Sequence, residues 1–424
     1  MRRIGQPAVL GELLVGMIVA NVGYALRNPM LTVLREGPII LDIVGRALTH
    51  TLALQQAARQ ILPNSTSASR VVQILESSRG PMTVAVYEFV DQVSRIAIIF
   101  LLFLVGLETS VRDLRRVGMR SLAVAVVGVG CPWALGSLAF GWIQPGSTVA
   151  ANLFIGGILT ATSIAISARV FRDIHRSTSP EAQVVLGAAV IDDILGLIIL
   201  AVASGLAATG TIDMRFVAGI TSRAIIFLLG AIGLGLWSVP RILRRLEPLR
   251  IPNLYLLFGL GLAFIYAWLA ARFGLATILG AFAAGLVLEE FFKSVPSERG
   301  ALREILQGLE TLIVPIYFVL IGMQVKLETF ANLKTLWITL ALTLVAILGK
   351  FVAGAVCIGR FRWKAVGVAM IPRGEVGLIF AGIGRTLGVV NDATFAAVVA
   401  VVMITTFIAP PFLKLTLASP PQQS

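Results

Sequence analysis

Twelve long apolar runs recur along this 424-residue chain and constrain its fold more than any other feature. A helix of about 20 apolar residues spans the roughly 30 Å hydrocarbon core of a bilayer. Hydrophobic residues make up 57% of the chain, charged residues only 13%, and the mean hydropathy is +0.91. A soluble domain could not bury this much apolar surface. The sequence therefore predicts an all-α polytopic membrane protein, with helices near 8–26, 87–107, 121–142, 148–168, 182–206, 217–238, 253–271, 275–290, 304–325, 335–358, 364–384 and 392–413.

Lysine and arginine are divided unevenly between the two sides of the predicted bundle. The N-terminus and the connections on its side carry 20 of these residues, whereas the short loops on the other side carry five. Because cytoplasmic loops are enriched in positive charge, this pattern predicts that both termini are cytoplasmic. The formal net charge of +13 thus reflects membrane topology and does not indicate nucleic-acid binding.

The hydropathy pattern also predicts the domain organisation. Residues 1–26 form the first membrane helix, and 27–86 are an external insertion with one amphipathic helix at the bilayer surface. Residues 87–415 form the main membrane domain, and 416–424 a cytoplasmic tail. Within that domain, three-helix units near 121–206 and 335–413 are expected to form the core.

Two adjacent carboxylates, Asp192 and Asp193, are the only ionisable residues between 182 and 206. Each lies near mid-membrane depth, where an ionised aspartate costs about 2.5–3.5 kcal/mol even on the lenient insertion scale. Side chains at adjacent helical positions point about 100° apart, so the two carboxylates can lie on two sides of one cavity rather than on a single face of the helix. A purely structural role is a poor explanation for two such acids in tandem, and we expect an ion or proton site.

The predicted helix 148–168 carries hydroxyl side chains at its centre, including Thr160, Thr162 and Ser163. Hydroxyls satisfy backbone groups freed by an interruption, and they also coordinate dehydrated cations. Small-residue helix packing produces a similar composition. Because this segment directly precedes the paired aspartates, an interrupted helix is favoured.

The predicted helix 364–384 contains Pro372, Arg373, Gly374 and Glu375 near its middle. Proline and glycine beside two opposite charges are typical of a broken helix, whereas an ordinary proline kink rarely brings an ion pair. We therefore expect a second interruption here, with Arg373 and Glu375 supporting each other.

Lys350 lies in the otherwise apolar segment 335–358, too deep to reach the membrane surface easily. Such a lysine requires a carboxylate partner, and the candidates at its depth are Asp192, Asp193 and Glu375.

The two three-helix units share one pattern, because the middle helix of each is interrupted. The first unit begins on the cytoplasmic side and the second on the external side, as expected for inverted repeats. Interrupted helices at corresponding positions of two repeats indicate an ion site near the bilayer midplane.

These residues resemble the monovalent cation:proton antiporter-2 family, especially the bacterial sodium/proton antiporters. The resemblance implies an inverted-repeat antiporter fold with two crossing discontinuous helices, elevator-like alternating access and an earlier membrane helix before the first motif. The motifs that carry it are GELLVG (11–16), FLVGLE (103–108), TATSIAISARV (160–170), VIDDILGL (190–197), LGAFAAGLVL (279–288), LGK (348–350) and IPRGEVGLI (371–379).

The resemblance also assigns roles. It implies that Asp193 is the essential ion-binding and proton-coupling carboxylate, and that Asp192 is its partner, tied to Lys350. Two aspartates at this position imply electrogenic exchange of Na⁺, and also Li⁺, for protons. A homodimer in the inner (plasma) membrane without cofactors is expected. The supporting residues are Thr160, Thr162, Ser163, Lys350, Arg373 and Glu375.

Other functions stay open from the sequence alone. A K⁺/H⁺ antiporter would use the same hydroxyl and carboxylate ligands. A channel or sensor on the same fold would pass ions without proton coupling. An intramembrane aspartyl protease is a distant alternative, because its two aspartates lie on facing helices, whereas these are adjacent on one.

Overall fold

In the computed structural model, all the regular secondary structure of the described residues is helical, with no strand among them. Two compact units divide the chain, one comprising residues 1–97 and 311–331 and the other comprising 98–310 and 332–424. The described residues are 8–37, 39–49, 53–61, 65–108, 118–163, 166–167, 170–171, 176, 179–209, 214–249, 252–293, 296–359 and 362–418.

The first unit is built from short helices around a small apolar core. Val33, Ile40, Ala57 and Tyr87 are fully buried in it. Its elements are α1 (Ala8–Ala25), α2 (Pro29–Glu36), α3 (Ile39–Thr49), α4 (Leu54–Ile61), α5 (Ser65–Glu76), the first part of α6 (Gly80–Glu108) and the last part of α13 (Pro296–Met323).

The segment 27–86 differs from its prediction. One amphipathic helix was expected, but four short helices, α2–α5, occupy this segment, and α6 already begins at Gly80. Local signals explain the boundaries of α2. Asn28 accepts a hydrogen bond from the Leu31 amide, proline occupies the first helical position, and Gly37 ends the helix at φ 68°. Helices of about ten residues are too short for a membrane-length hydropathy window to detect.

The second unit contains the longer helices and both predicted core repeats. Its elements are the rest of α6 and α13, with α7 (Met119–Ile143), α8 (Val149–Ile158), α9 (Pro180–Thr209), α10 (Met214–Leu246), α11 (Leu254–Arg272), α12 (Thr277–Phe292), α14 (Leu333–Ala353), α15 (Trp363–Ala369), α16 (Glu375–Thr386) and α17 (Asp392–Ala418).

Every predicted membrane segment coincides with one of these helices or with an interrupted pair. Within the described residues, eight helices are long and apolar enough to cross a bilayer. Of the other four predicted segments, two coincide with shorter helices, α1 and α12, and two are interrupted. The prediction of an all-α polytopic membrane protein is confirmed. Of the predicted tail, residues 416–418 continue α17 and 419–424 lie outside the described residues.

Close helix packing brings the two repeats together in the second unit. A Cβ atom on Gly349 of α14 would lie only 2.8 Å from the Cα atom of Pro132 on α7. Glycine at this position therefore allows the two backbones to approach closely, as small residues do in membrane helix pairs. One turn of α14 thus lies against α7, which fixes the depth of the neighbouring Lys350.

Candidate functional site

Two interrupted helices cross in the second unit. In the first, α8 ends at Ile158 and non-helical backbone continues through residues 161–163; in the second, residues 370–374 separate α15 from α16. At the crossing, the Ser163 amide donates a hydrogen bond of 2.8 Å to the Pro372 carbonyl. The prediction of two crossing discontinuous helices is confirmed.

The crossing depends on a glycine at its closest point. A Cβ atom on Gly374 would lie 2.7 Å from the Cβ and Oγ atoms of Ser163. The backbone of Gly374 is extended, at φ −132°, which any residue adopts. Glycine is therefore required here for space and not for its conformational freedom.

The paired aspartates lie on α9 and are buried. Asp192 is 1% exposed and Asp193 is 7% exposed, while Lys350 on α14 has no exposed surface. The Lys350 ammonium donates hydrogen bonds to both Asp192 oxygens, at 2.7 Å and 2.9 Å. The predicted contact between Lys350 and Asp192 is therefore present, and Asp193 is near enough to attract the same ammonium electrostatically.

Arg373 lies in the second interruption with 1% of its surface exposed. Its guanidinium donates to two backbone carbonyls, those of Ala161 at 2.7 Å and Ala346 at 3.0 Å. Sequence reasoning expected Glu375 as its partner, but the Glu375 side chain lies outside the described residues. The Ala161 carbonyl follows the C-terminal end of α8, where a helix carries partial negative charge, so a cation is favoured there.

The predicted hydroxyls have different roles in the structure. The Thr162 hydroxyl donates a long hydrogen bond of 3.4 Å to the Met370 carbonyl, in the second interruption. Thr160 donates instead to the Gly157 carbonyl at 2.8 Å and so closes the last turn of α8. Ser163 contributes its backbone amide to the crossing. Among these side chains, Thr162 therefore makes the hydroxyl hydrogen bond that reaches the second interruption.

Sequence reasoning missed one residue at this site. The Thr406 hydroxyl on α17 donates to the Arg373 carbonyl, inside the second interruption. The only signal in the sequence is the pair Thr405–Thr406 in an apolar run, which ordinary helix packing also explains.

Comparison with known proteins decides the family. The family model described as sodium/hydrogen exchanger, transmembrane, matches residues 1–419, nearly the whole chain. The chain belongs to the sodium/hydrogen exchanger family. Members of this family are transporters, so the chain is a membrane antiporter and not an intramembrane protease.

Individual relatives agree with this family. The chain is 36% identical to the high-affinity Na⁺/H⁺ antiporter NhaS3 of Synechocystis, over 96% of this chain and 90% of that protein. It is 31% identical to the Na⁺/H⁺-K⁺ antiporter GerN of Bacillus cereus, over 98% and 91% of the two chains. The structure of the sodium proton antiporter MjNhaP1 from Methanocaldococcus jannaschii matches over 97% of both chains with a TM-score of 0.58. At 18% sequence identity, that match shows a shared exchanger fold.

Proposed function

We propose that this exchanger trades Na⁺ for protons at Asp193, with the Asp192–Lys350 ion pair beside it. The observation that carries the proposal is the bidentate contact of Lys350 with Asp192, next to a second buried carboxylate at the crossing of two broken helices. Two relatives at 36% and 31% identity are named for Na⁺/H⁺ exchange.

The arrangement supports exchange by competition. A carboxylate binds either a cation or a proton, so one site visited alternately from the two sides of the membrane couples their movements. The Lys350 ammonium is an internal cation already bound to Asp192, and Na⁺ arriving at Asp193 competes with it for carboxylate oxygens. Hydroxyl and carbonyl oxygens at the two interruptions supply further hard ligands, which suit a dehydrated alkali cation.

The remaining features of the proposal concern the whole transport cycle. Two buried acids and one buried lysine favour electrogenic exchange, in which more protons than cations move per cycle. The crossing helices carry the site as one body, as in elevator-like alternating access. The uneven division of lysine and arginine supports cytoplasmic termini in the plasma membrane, with segment 27–86 outside. The family resemblance supports a homodimer.

K⁺ is the second candidate substrate. The name of GerN includes K⁺ alongside Na⁺ and protons, and that relative is 31% identical to this chain. Carboxylate and hydroxyl oxygens accept both ions, and the difference between them depends on the size of the cavity around Asp193.

One experiment tests substrate and coupling together. The purified protein is reconstituted into proteoliposomes with a pH-sensitive dye and challenged in turn with Li⁺, Na⁺ and K⁺. We expect dequenching with Na⁺ and Li⁺ and little with K⁺. Dequenching with K⁺ at equal or lower concentration would transfer the proposal to K⁺/H⁺ exchange, and absence of dequenching with all three cations would refute it.

Removal of the Asp193 charge tests the site in the same vesicles. Asp193→Asn should abolish cation-induced dequenching, because the amide neither binds the cation as a charged ligand nor exchanges a proton. Elution of the variant as a single folded species in detergent is the control. Exchange at the wild-type rate by this folded variant would show that the site lies elsewhere.

A further inference from the structure

The second interruption leaves backbone carbonyls without helical partners, and most of them are satisfied by the first interrupted helix. Ser163 donates its amide to the Pro372 carbonyl at 2.8 Å, and the Ser167 hydroxyl donates to the Ala369 carbonyl at 2.5 Å. The Arg373 carbonyl differs, because its donor is the hydroxyl of Thr406 on α17, outside both interrupted helices. A buried carbonyl without a donor is costly, so this contact matters to the local backbone.

Thr406 departs from the usual behaviour of a threonine in a helix. Threonine hydroxyls inside helices ordinarily donate to a carbonyl of the preceding turn of the same helix. The neighbouring Thr405, equally buried, follows this rule and donates to the Val401 and Val402 carbonyls at 2.8 Å and 3.1 Å. Thr406 donates across to the interruption instead. Of these two adjacent threonines, Thr405 thus makes only contacts within its own helix, and Thr406 makes a long-range contact.

The contact reaches the ion site through Arg373. The guanidinium of this residue joins the Ala161 carbonyl, in the first interruption, to the Ala346 carbonyl, one turn before Lys350 on α14. Because Thr406 fixes the backbone of Arg373, it also fixes the base of the side chain that makes these two bonds. A shift there would move the crossing relative to Lys350.

Arginines at both ends hold α17 to the second interrupted helix. Arg362, just before α15, donates to the Leu417 carbonyl in the last turn of α17. Arg385, near the end of α16, donates to Asp392 in the first turn of α17 at 2.8 Å. Because both ends of α17 are bonded to the second interrupted helix, the Thr406 hydroxyl holds the Arg373 backbone to a helix that is itself fixed in position.

We infer that Thr406 is a positioning residue for cation binding, acting through the Arg373 backbone, so that α17 holds the two halves of the broken helix in register around the site. The inference rests on the proposed exchange function. It adds a residue on α17, a helix that carries none of the other proposed site residues, to the set that determines cation affinity.

The test compares Thr406→Val, which keeps the shape and removes the donor, with Thr406→Ser, which keeps the donor. Thr405→Val is the matched control, because it removes an equally buried hydroxyl that bonds only within α17. In proteoliposomes, Thr406→Val should raise the half-saturating Na⁺ concentration about tenfold, the effect of one lost buried hydrogen bond. Thr406→Ser and Thr405→Val should each stay within about twofold of wild type.

Several outcomes would overturn the inference. A half-saturating Na⁺ concentration unchanged in Thr406→Val would do so, and so would equal impairment of the Ser and Val variants or an equal rise in Thr405→Val. If Thr406→Val does not fold, Thr406→Cys replaces it, and its weaker donor should give a value between those of wild type and a tenfold rise. Wild-type vesicles without exchange would instead refute the underlying function.

Discussion

At the residue scale, the main feature of the site is a group of four buried charged side chains near the crossing: Asp192, Asp193, Lys350 and Arg373. Buried charges are tolerated when each has partners of opposite sign or several hydrogen bonds. Lys350 meets this condition through both oxygens of Asp192, and Arg373 through two backbone carbonyls. The site therefore combines a tightly bound pair with an adjacent buried acid, Asp193, which we propose as the group that exchanges its ligand during transport.

The pair predicts an uneven response to single and double substitution. Lys350→Ala leaves Asp192 buried without its ammonium, which typically costs about 3–5 kcal/mol. Asp192→Asn combined with Lys350→Ala removes both charges and should be more stable than Lys350→Ala alone. The unfolding temperature of each variant in detergent, monitored by size-exclusion chromatography after heating, measures the difference in stability.

The control for this cycle lies on the same helix. Lys334 is exposed near the start of α14, so Lys334→Ala should leave the unfolding temperature almost unchanged. Strictly additive losses in the Asp192 and Lys350 variants would show that the two side chains are not energetically coupled.

At the element scale, the crossing of the broken helices is held by close backbone contact. Gly374→Ala would place a methyl group 2.7 Å from Ser163, so the two interruptions must move apart. Overpacking of this kind costs about 1–3 kcal/mol. We expect a lower unfolding temperature and strongly reduced Na⁺/H⁺ exchange, measured on the same preparation.

Gly377 on α16 provides the comparison for that substitution. A Cβ atom there would make its nearest contact at 3.6 Å, which is ordinary van der Waals distance. Gly377→Ala should therefore retain both stability and exchange. If Gly374→Ala exchanges as well as Gly377→Ala does, the separation of the interruptions is not critical for transport.

A second ion network occupies the first unit. Lys326 donates to Glu36 at 2.7 Å, and Arg35 lies 3.7 Å from the same carboxylate while also pairing with Glu328. The Arg35 and Glu36 side chains are each only 1% exposed. These contacts join α2 to the segment after α13 within one unit, so their role is expected to be structural.

Lys326→Met tests this structural role. The variant leaves Glu36 with Arg35 as a more distant partner, and we expect destabilisation of about 3 kcal/mol, near the lower end for a broken buried pair. The half-saturating Na⁺ concentration of the folded fraction should remain that of wild type. A large change in Na⁺ affinity without loss of stability would instead connect this network to transport.

At the scale of the whole molecule, hydropathy and polar intrusions predicted most of the architecture. Membrane helices are specified by long apolar runs, and the interruptions by Thr162, Pro372 and Gly374, since these residues release or satisfy backbone groups. The Lys350–Asp192 contact followed from the cost of a lone charge in the membrane together with the family resemblance.

Two of the features that were not predicted, the contacts of Arg373 and of Thr406, depend on the tertiary structure. Arg373 binds backbone carbonyls, which carry no residue-specific signal in a sequence. Thr405 and Thr406 are adjacent residues of the same type in the same apolar run. Only the fold shows that the Thr406 hydroxyl bonds outside its own helix, whereas that of Thr405 bonds within it. The four helices of segment 27–86 were missed because they are short; the bounds of α2, for example, are set by local caps at Asn28 and Gly37.

Proton release on Na⁺ binding tests most directly whether the two ions compete at Asp193. Na⁺ is added to the purified exchanger in weakly buffered detergent solution, and the pH change is recorded against an equal addition of choline. Wild-type protein should release protons as Na⁺ binds, and folded Asp193→Asn should release none. Equal proton release from the two proteins would contradict the account, because the ions would then compete at another group.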